Sequence, residues 1–253
     1  MDKLTTDVKK YAQETLGARL VGVASVDRFA EAPRGHRPDD LLPGAQSVVV
    51  VALPILKSLL NWRGMLKDSE VIPEEVELPS GEMFEARTAI ENHIYGRCCY
   101  ESINNELQRI TMHTTFLLEE AGYESAYMPI TYGATFHQVR GPIPGKFGPF
   151  SHRHAAVAAG LGELGINNLL LTEKFGAKQR IGSIITTAQL EPDPVYEGNL
   201  CLGEECPLDI FGERRSFQML GKKMSLASMN KDNCVGAGIK CGGTCMRVCP
   251  AGK

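Results

Sequence analysis

The sequence predicts an α/β (or α+β) fold, with a core over residues 1–192 and a cysteine-rich tail over 193–253. Three observations carry this reading. LVGVAS (20–25) and SVVVVALPI (47–55) are short, valine-rich and bounded by Pro and Gly, as buried strands are. Other stretches repeat apolar residues at three- and four-residue spacing, the period of a helix lying on a core. Six of the eight cysteines crowd into the last 53 of 253 residues. With 43% hydrophobic and 23% charged residues the chain is not disordered. Its 27 basic and 30 acidic side chains make no global case for nucleic acid or an anionic membrane.

In chain order, Leu4, Val8, Tyr11 and Leu16 predict a helix over 4–20 that stops near Gly17. Pro33, Gly35, Pro38, Pro43 and Gly44 mark a loop between the two valine strands. Residues 61–81 are polar and proline-punctuated, an excursion on the surface. From 86 to 121 the spacing of Ile90, Ile94, Ile103, Leu107, Ile110, Phe116 and Leu117 fits one long helix or two consecutive ones, ended by Gly122. Four glycines and three prolines within 131–150 forbid a regular element there and predict a constrained loop of the kind that lines sites. Ser151 is placed to cap a helix of small residues, read over 154–165, able to approach something flat. IGSIITTAQL (181–190) is β-rich, and EPDPVYEGN (191–199) reads as the junction with the tail.

The tail runs C-x6-C-x3-C-x3-C-P from Cys234 through Cys241, Cys245 and Cys249 to Pro250, after Cys201-x4-Cys206-Pro207. Bacterial ferredoxins wrap an iron–sulfur cube with C-x2-C-x2-C-x3-C-P, and the final C-x3-C-P is reproduced here. Six thiolates suffice for one complete all-cysteine 4Fe-4S cluster, not two. Cys206, Cys234, Cys241 and Cys245 form one ligand set; Cys234, Cys241, Cys245 and Cys249 form an equally simple other. A four-thiolate zinc site also tolerates these spacings, whereas disulfides require an oxidising compartment. Cys98 and Cys99 fall in a helical stretch and read as small packing residues.

Several segments together resemble epoxyqueuosine reductases and their relatives: GARLVGVASVDRF (17–29), LLPGAQSVVVVALPI (41–55), SHRHAAVAAGLGELGINNLLLTEKFGAKQRIGSIITT (151–187) and KCGGTCMRVCPAG (240–252). That resemblance, like the similarity to corrinoid-dependent reductive dehalogenases, implies a nitroreductase-like core that binds cobalamin and a C-terminal ferredoxin-like domain carrying iron–sulfur clusters. It implies an external electron donor such as ferredoxin or flavodoxin and a small-molecule substrate; tRNA enters as a partner through the resemblance alone, since the residues themselves predict no direct nucleic-acid binding and no membrane contact. Flavin (FMN) is the fallback cofactor. A flat macrocycle needs small residues on one face, which the 131–150 loop and the Ala/Gly helix would supply. His152, Arg153, His154, Gly160, Gly162, Asn167 and Asn168 are accordingly the expected cofactor-binding residues, and Cys201, Cys206, Cys234, Cys241, Cys245 and Cys249 the metal-binding ones. In the family an aspartate in a D-S-x-P pattern precedes AGLG; counting back from Ala159, Pro149 matches and the aspartate becomes Lys146. Loss of that acid raises a second reading, a non-enzymatic corrinoid or tetrapyrrole carrier or redox sensor with one cluster.

His152 and His154 point about 200° apart on a helix, so they share a ligand only where the helix has not begun. Arg153, Arg140 and Lys146 make the loop locally basic, suited to anionic substituents. His137, Tyr132 and Tyr95 are candidate proton donors, and no single catalytic acid is singled out; for Asn167 and Asn168 a helix C-cap is the competing role. No apolar run reaches the roughly 20 residues of a bilayer span, and the charged N-terminus does not read as a secretory signal, which predicts a cytoplasmic chain.

Overall fold

A computed structural model describes residues 2–60, 66, 68–131, 148–203, 211–229 and 244–252. In chain order the helices are α1 (Lys3–Lys10), α2 (Pro38–Leu41), α3 (Lys57–Leu60), α4 (Ala86–Ile94), α5 (Ser102–Glu120), α6 (His152–Ala158) and α7 (Thr244–Val248). The strands are β1 (Leu20–Ser25), β2 (Ser47–Pro54), β3 (Val76–Glu77), β4 (Met83–Phe84), β5 (Ser125–Tyr127), β6 (Glu163–Leu164), β7 (Leu170–Leu171), β8 (Gln179–Thr186), β9 (Phe211–Met219) and β10 (Lys222–Met229). This is the mixed α/β fold expected. None of the described helices is long and apolar enough to cross a membrane.

Four antiparallel strands in the order β1-β2-β8-β5 form the central sheet. Antiparallel sheets commonly wet one face; this one is covered on both, which is why β2 reads as an unbroken valine run. Val49 and Val51 share one face with Val23 and Ile184 and meet Val8 of α1 and Leu107 and Ile110 of α5. Val48 and Val50 share the other face with Ala24 and Ile185 and meet Ala155 to Ala159. The alternation of period two thus survives as a choice between two cores.

The flat surface that α6 approaches is the sheet itself. Its alanines are fully buried, and a Cβ on Gly22 of β1 would lie 2.4 Å from the Ala159 carbonyl oxygen. The small residues therefore serve helix-on-sheet contact and do not offer a face to a macrocycle. The helix is also shorter than the 154–165 read from composition: it ends at Ala158, and Gly160 turns the chain in the left-handed region at φ 73°. The AGLG block continues as the small hairpin β6–β7.

Residues 86–120 form one helical path, with a π-helical segment, Tyr95–Glu101, between α4 and α5. Gly122 ends α5 as expected: at φ 91° it donates to the Glu119 carbonyl at 2.9 Å while Tyr123 donates to Leu118 at 3.0 Å, the two bonds of a Schellman motif. The first helix likewise passes into a π-helical turn, Tyr11–Thr15, before Gly17. Residues 191–199 carry no regular element, yet they are not slack. The Asp193 amide donates to Val23 O at 2.9 Å, its carboxylate accepts from Val23 N at 2.8 Å and meets Lys9 Nζ at 2.5 Å, so the edge of β1 is covered.

Sequence reading missed β9 and β10. They form a hairpin whose Phe217, Met219, Leu220, Met224 and Leu226 join the α6 side of the core. At its two-residue tip both Leu220 (φ 52°) and Gly221 (φ 77°) are left-handed, the geometry of a type I′ turn. The usual Asn-Gly or Asp-Gly signal is absent, because leucine fills the first position.

The packing at Gly22 makes two glycine substitutions differ in sign. Gly22→Ala should lower stability by about 1–3 kcal/mol by pushing α6 off the sheet. Gly96→Ala, whose new Cβ meets nothing within 4 Å, should raise it by roughly 0.5–1 kcal/mol through helix propensity. Urea midpoints of the two variants check both.

Candidate functional site

A cavity of about 1390 Å³ opens between the end of the sheet, the start of α6, the β6–β7 turn and the hairpin tip. Ligand pockets for drug-sized molecules run from roughly 300 to 1,000 Å³, so this one has room for something larger. Its apolar walls include Phe29, Phe150, Ile181 and Phe217; its polar groups come from Arg28, His36, the segment Ser151 to His154, Asn167, Asn168 and Arg180. Cys245 and Met246 of α7 complete the lining.

Five of the seven expected cofactor-binding residues line this space: His152, Arg153, His154, Asn167 and Asn168. Gly160 and Gly162 do not. Added Cβ atoms there would fall 2.1 Å from Pro194 O and 1.9 Å from Leu171 O, so their small size lets backbone segments of the chain itself approach.

His152 has both ring nitrogens committed. Nε2 lies 2.9 Å from the Pro129 carbonyl and must carry the proton; Nδ1, 2.9 Å from Ser183 Oγ, accepts the hydroxyl. It fixes the mouth of α6 and has no lone pair left for a metal. Ser151 occupies the N-cap position, but its hydroxyl meets His154 Nδ1 at 2.6 Å and caps nothing. Burial holds both histidines below the usual imidazole range, His152 with a further push from Arg180 and His154 from Arg153. They are neutral at pH 7.

Arg153 donates to the Asn168 carbonyl, and burial lowers the pKa of its guanidinium. Asn168 is left-handed at φ 59° and donates its amide to Gly165 O at 2.8 Å. It therefore belongs to the β6–β7 turn and caps no helix. Its Oδ1 is buried with no hydrogen-bond partner among the described residues, the sort of orphan a bound donor would satisfy. Asn167 Oδ1 accepts from Leu169 N at 3.2 Å and is spent on the same turn.

Composition had no means of finding Arg28, His36 or Arg180, which are scattered through the sequence and converge only in space. The one local hint was Arg180, a charged residue at the entry of an apolar strand. His36 is oriented by its Nδ1, 3.0 Å from Pro149 O.

Of the six tail cysteines, Cys206, Cys234 and Cys241 lie outside the described residues, as do Tyr132, His137, Arg140 and Lys146. Cys245 lies in the first turn of α7 and Cys249 just past its end, both half-buried. Cys201 sits near the β6–β7 turn, where its Sγ accepts from Ile166 N at 3.3 Å. No three metal-binding side chains come together among the described residues.

One carboxylate joins these parts. Glu163, 3% exposed, accepts from Leu200 N at 2.6 Å and Cys201 N at 2.7 Å through Oε1, and through Oε2 from Lys222 of the hairpin. The Lys222 ammonium also reaches Gly198 O and stands 5.3 Å from the centre of the Tyr196 ring. Charge-assisted bonds of this kind are strong where water is excluded.

No protein-family model matches the chain. A 38-residue stretch is 55% identical to tetrachloroethene reductive dehalogenases of Desulfitobacterium hafniense and Dehalobacter restrictus, covering 15% of this chain and 7% of theirs. Among solved structures it is similar to epoxyqueuosine reductases of Bacillus subtilis (TM-score 0.49, 16% identity) and Streptococcus thermophilus (0.47, 15%), each over 81% of this chain and 50% of the other. It is also similar to a catabolic reductive dehalogenase in complex with 3-bromo-4-hydroxybenzoic acid (0.49, 16%), over 97% of this chain and 31% of that one. The chain thus spans half or less of the length of these proteins. They carry the same two enzyme names as the resemblance drawn from the motifs.

Two outcomes follow from the site's electrostatics. Glu163→Gln leaves Lys222 largely buried without its counter-charge and should cost about 3 kcal/mol in urea unfolding, near the low end for a broken buried pair because Lys222 keeps 22% exposure. For His152 and His154 the folded pKa lies below the unfolded value near 6.5, so the unfolded chain binds more protons as pH falls. Stability should hold above that value and decline below it. His152→Gln should shrink the slope of melting temperature between pH 7.5 and 5.5, leaving the His154 share.

Proposed function

We propose that the chain is an iron–sulfur oxidoreductase resembling epoxyqueuosine reductase and the corrinoid reductive dehalogenases. Its C-terminal cysteines would hold a 4Fe-4S cluster, and its cavity a corrinoid or, failing that, a flavin. The observation that carries the proposal is the position of Cys245, which lines the same cavity as residues from the sheet, α6, the β6–β7 turn, the hairpin and the 27–36 segment. A redox centre on that thiol would face whatever the cavity binds.

The residues present fit such groups. The volume exceeds that of ordinary ligand pockets, the buried Asn168 Oδ1 needs a donor, and cysteine is the ligand that iron–sulfur clusters use. The bound groups would supply one-electron chemistry that side chains lack. The chain's own part is binding and orientation: Arg153, His154 and Asn168 offer polar contacts, Phe29 and Phe150 exclude water, and His152 locks the mouth of α6 to Pro129 and Ser183. The 38-residue match to tetrachloroethene reductive dehalogenases supports the same class. Lys146, standing where the family's aspartate is expected, supports the alternative of a carrier or redox sensor.

Anaerobically purified protein should be brown, absorb broadly near 400 nm and hold about four irons per chain. Cob(II)alamin added to it should shift to a base-off spectrum. A colourless chain with one zinc would overturn the redox reading, while binding without turnover on any candidate substrate would leave the carrier.

A further inference from the structure

Three histidines line the cavity, and His36 differs from the other two. Its Nδ1 lies 3.0 Å from the Pro149 carbonyl oxygen, which can only accept, so that nitrogen carries a proton. Nε2, on the far edge of the ring, has no partner among the described residues. His152 has spent both its nitrogens, and the Ser151 hydroxyl beside His154 can give or take a hydrogen bond, which leaves the tautomer of His154 unfixed. The backbone that carries His36 is braced on both sides. The Asp40 carboxylate accepts from the amides of Gly35 at 2.6 Å and Arg37 at 3.1 Å, and the His36 amide donates to Pro33 O at 3.0 Å. Arg37 in turn donates to the Ala30 and Ala32 carbonyls at 2.6 and 3.0 Å.

A histidine whose Nδ1–H is held by a carbonyl exchanges protons only at Nε2, and the same carbonyl keeps its bond when the ring becomes an imidazolium. That is the arrangement of a general acid with one working nitrogen. The ring is half-buried, so it stays within reach of water from which to recover its proton. Other proton-bearing groups of the lining serve less well. Burial holds His152 and His154 below the usual imidazole range, which disfavours their imidazolium forms. Tyr95 lines the cavity too, and a phenol is by nature a far weaker acid than an imidazolium.

We propose that His36 is the general acid of the reduction: its Nε2–H delivers a proton to the substrate atom that has received electrons. This rests on the oxidoreductase reading and deepens it by naming a residue for the proton. The electrons come from a reduced one-electron donor protein and bring no protons with them. For a substrate R–X, two electrons and one proton break the R–X bond and yield R–H and X⁻. For an epoxide, two electrons and two protons yield an alkene and water, the second proton taken up from solvent by the same nitrogen. Each transfer breaks the Nε2–H bond and returns the ring to the Nδ1–H imidazole, still bonded to Pro149 O.

The test uses the full chain, loaded anaerobically with iron and cobalamin, in two measurements. In the first, nitrogen-15 NMR of histidine-labelled protein, with the His36 signals assigned by their loss in His36→Gln, should show the proton of the neutral ring on Nδ1. Paramagnetic cob(II)alamin should broaden the Nε2 signal, and diamagnetic hydroxocobalamin should not. A neutral ring protonated at Nε2 instead, or a His36 signal untouched while cob(II)alamin is bound, would overturn the assignment. In the second, titanium(III) citrate supplies electrons for the reduction of 2,6-dibromophenol and cyclopentene oxide. His36→Gln keeps a donor for Pro149 O but has no proton to give, and should lower kcat roughly a hundredfold or more with KM little changed. His36→Ala should fall as far and recover when free imidazole is added, a rescue that a merely structural role does not show. Unchanged kcat in His36→Gln sinks the acid alone. Turnover of neither probe by the unsubstituted protein, with iron and cobalamin both bound, sinks the reductase reading and the acid with it. Should one variant fail to fold, the other variant and the NMR broadening decide.

Discussion

The contact between Glu163 and Lys222 is the constraint on which the rest of the architecture leans. Glu163 lies in β6, just beyond the alanine helix; Lys222 opens the second strand of the hairpin; and the same carboxylate takes the amides of Leu200 and Cys201. Three segments far apart in sequence are thereby fixed at one point. The hairpin supplies one wall of the cavity, and residues 196–201 carry the chain past the β6–β7 turn that holds Asn168. Hydrophobic contact alone, through Phe217 and Met224, would hold the hairpin against α6 without fixing its register. A buried carboxylate with both oxygens engaged adds direction to that contact.

What could be read from the sequence was whatever had a local signature. The valine runs gave β1 and β2 within a residue or so, the spacing of Ile103, Leu107 and Ile110 gave α5, and Gly122 gave its end. The AGLG block was found as a landmark and its use misjudged, because Ala155 to Ala159 would look the same whether they faced a ligand or a sheet; only the opposing glycine, Gly22 in a different segment, decides. The hairpin escaped because SFQMLGKKMSLASM lacks the turn dipeptide that marks one.

The site was legible in half. His152, Arg153, His154 and the two asparagines are close in sequence to the landmark and were singled out with it. Arg28, His36 and Arg180 come from other segments, and apart from the place of Arg180 at the entry of an apolar strand nothing in their neighbours marks them. Burial is likewise invisible in a string of letters: Arg153 and Arg180 look like surface residues until the structure shows their partners to be a carbonyl, an amide and a ring. The cysteine spacing remains the most explicit chemical statement in the chain, and Cys245 ties it to the cavity.

Leu220 at the hairpin tip carries a longer consequence. A branched, apolar residue in a left-handed conformation is held at some cost to the backbone, and glycine or asparagine would suit the turn better. Leu220 also lines the cavity and packs on the core beside α6. A substitution chosen only to relieve the backbone would remove a side chain from the wall of the chamber. Engineering that seeks a hardier version of this chain should leave that turn alone and look to surfaces remote from the chamber.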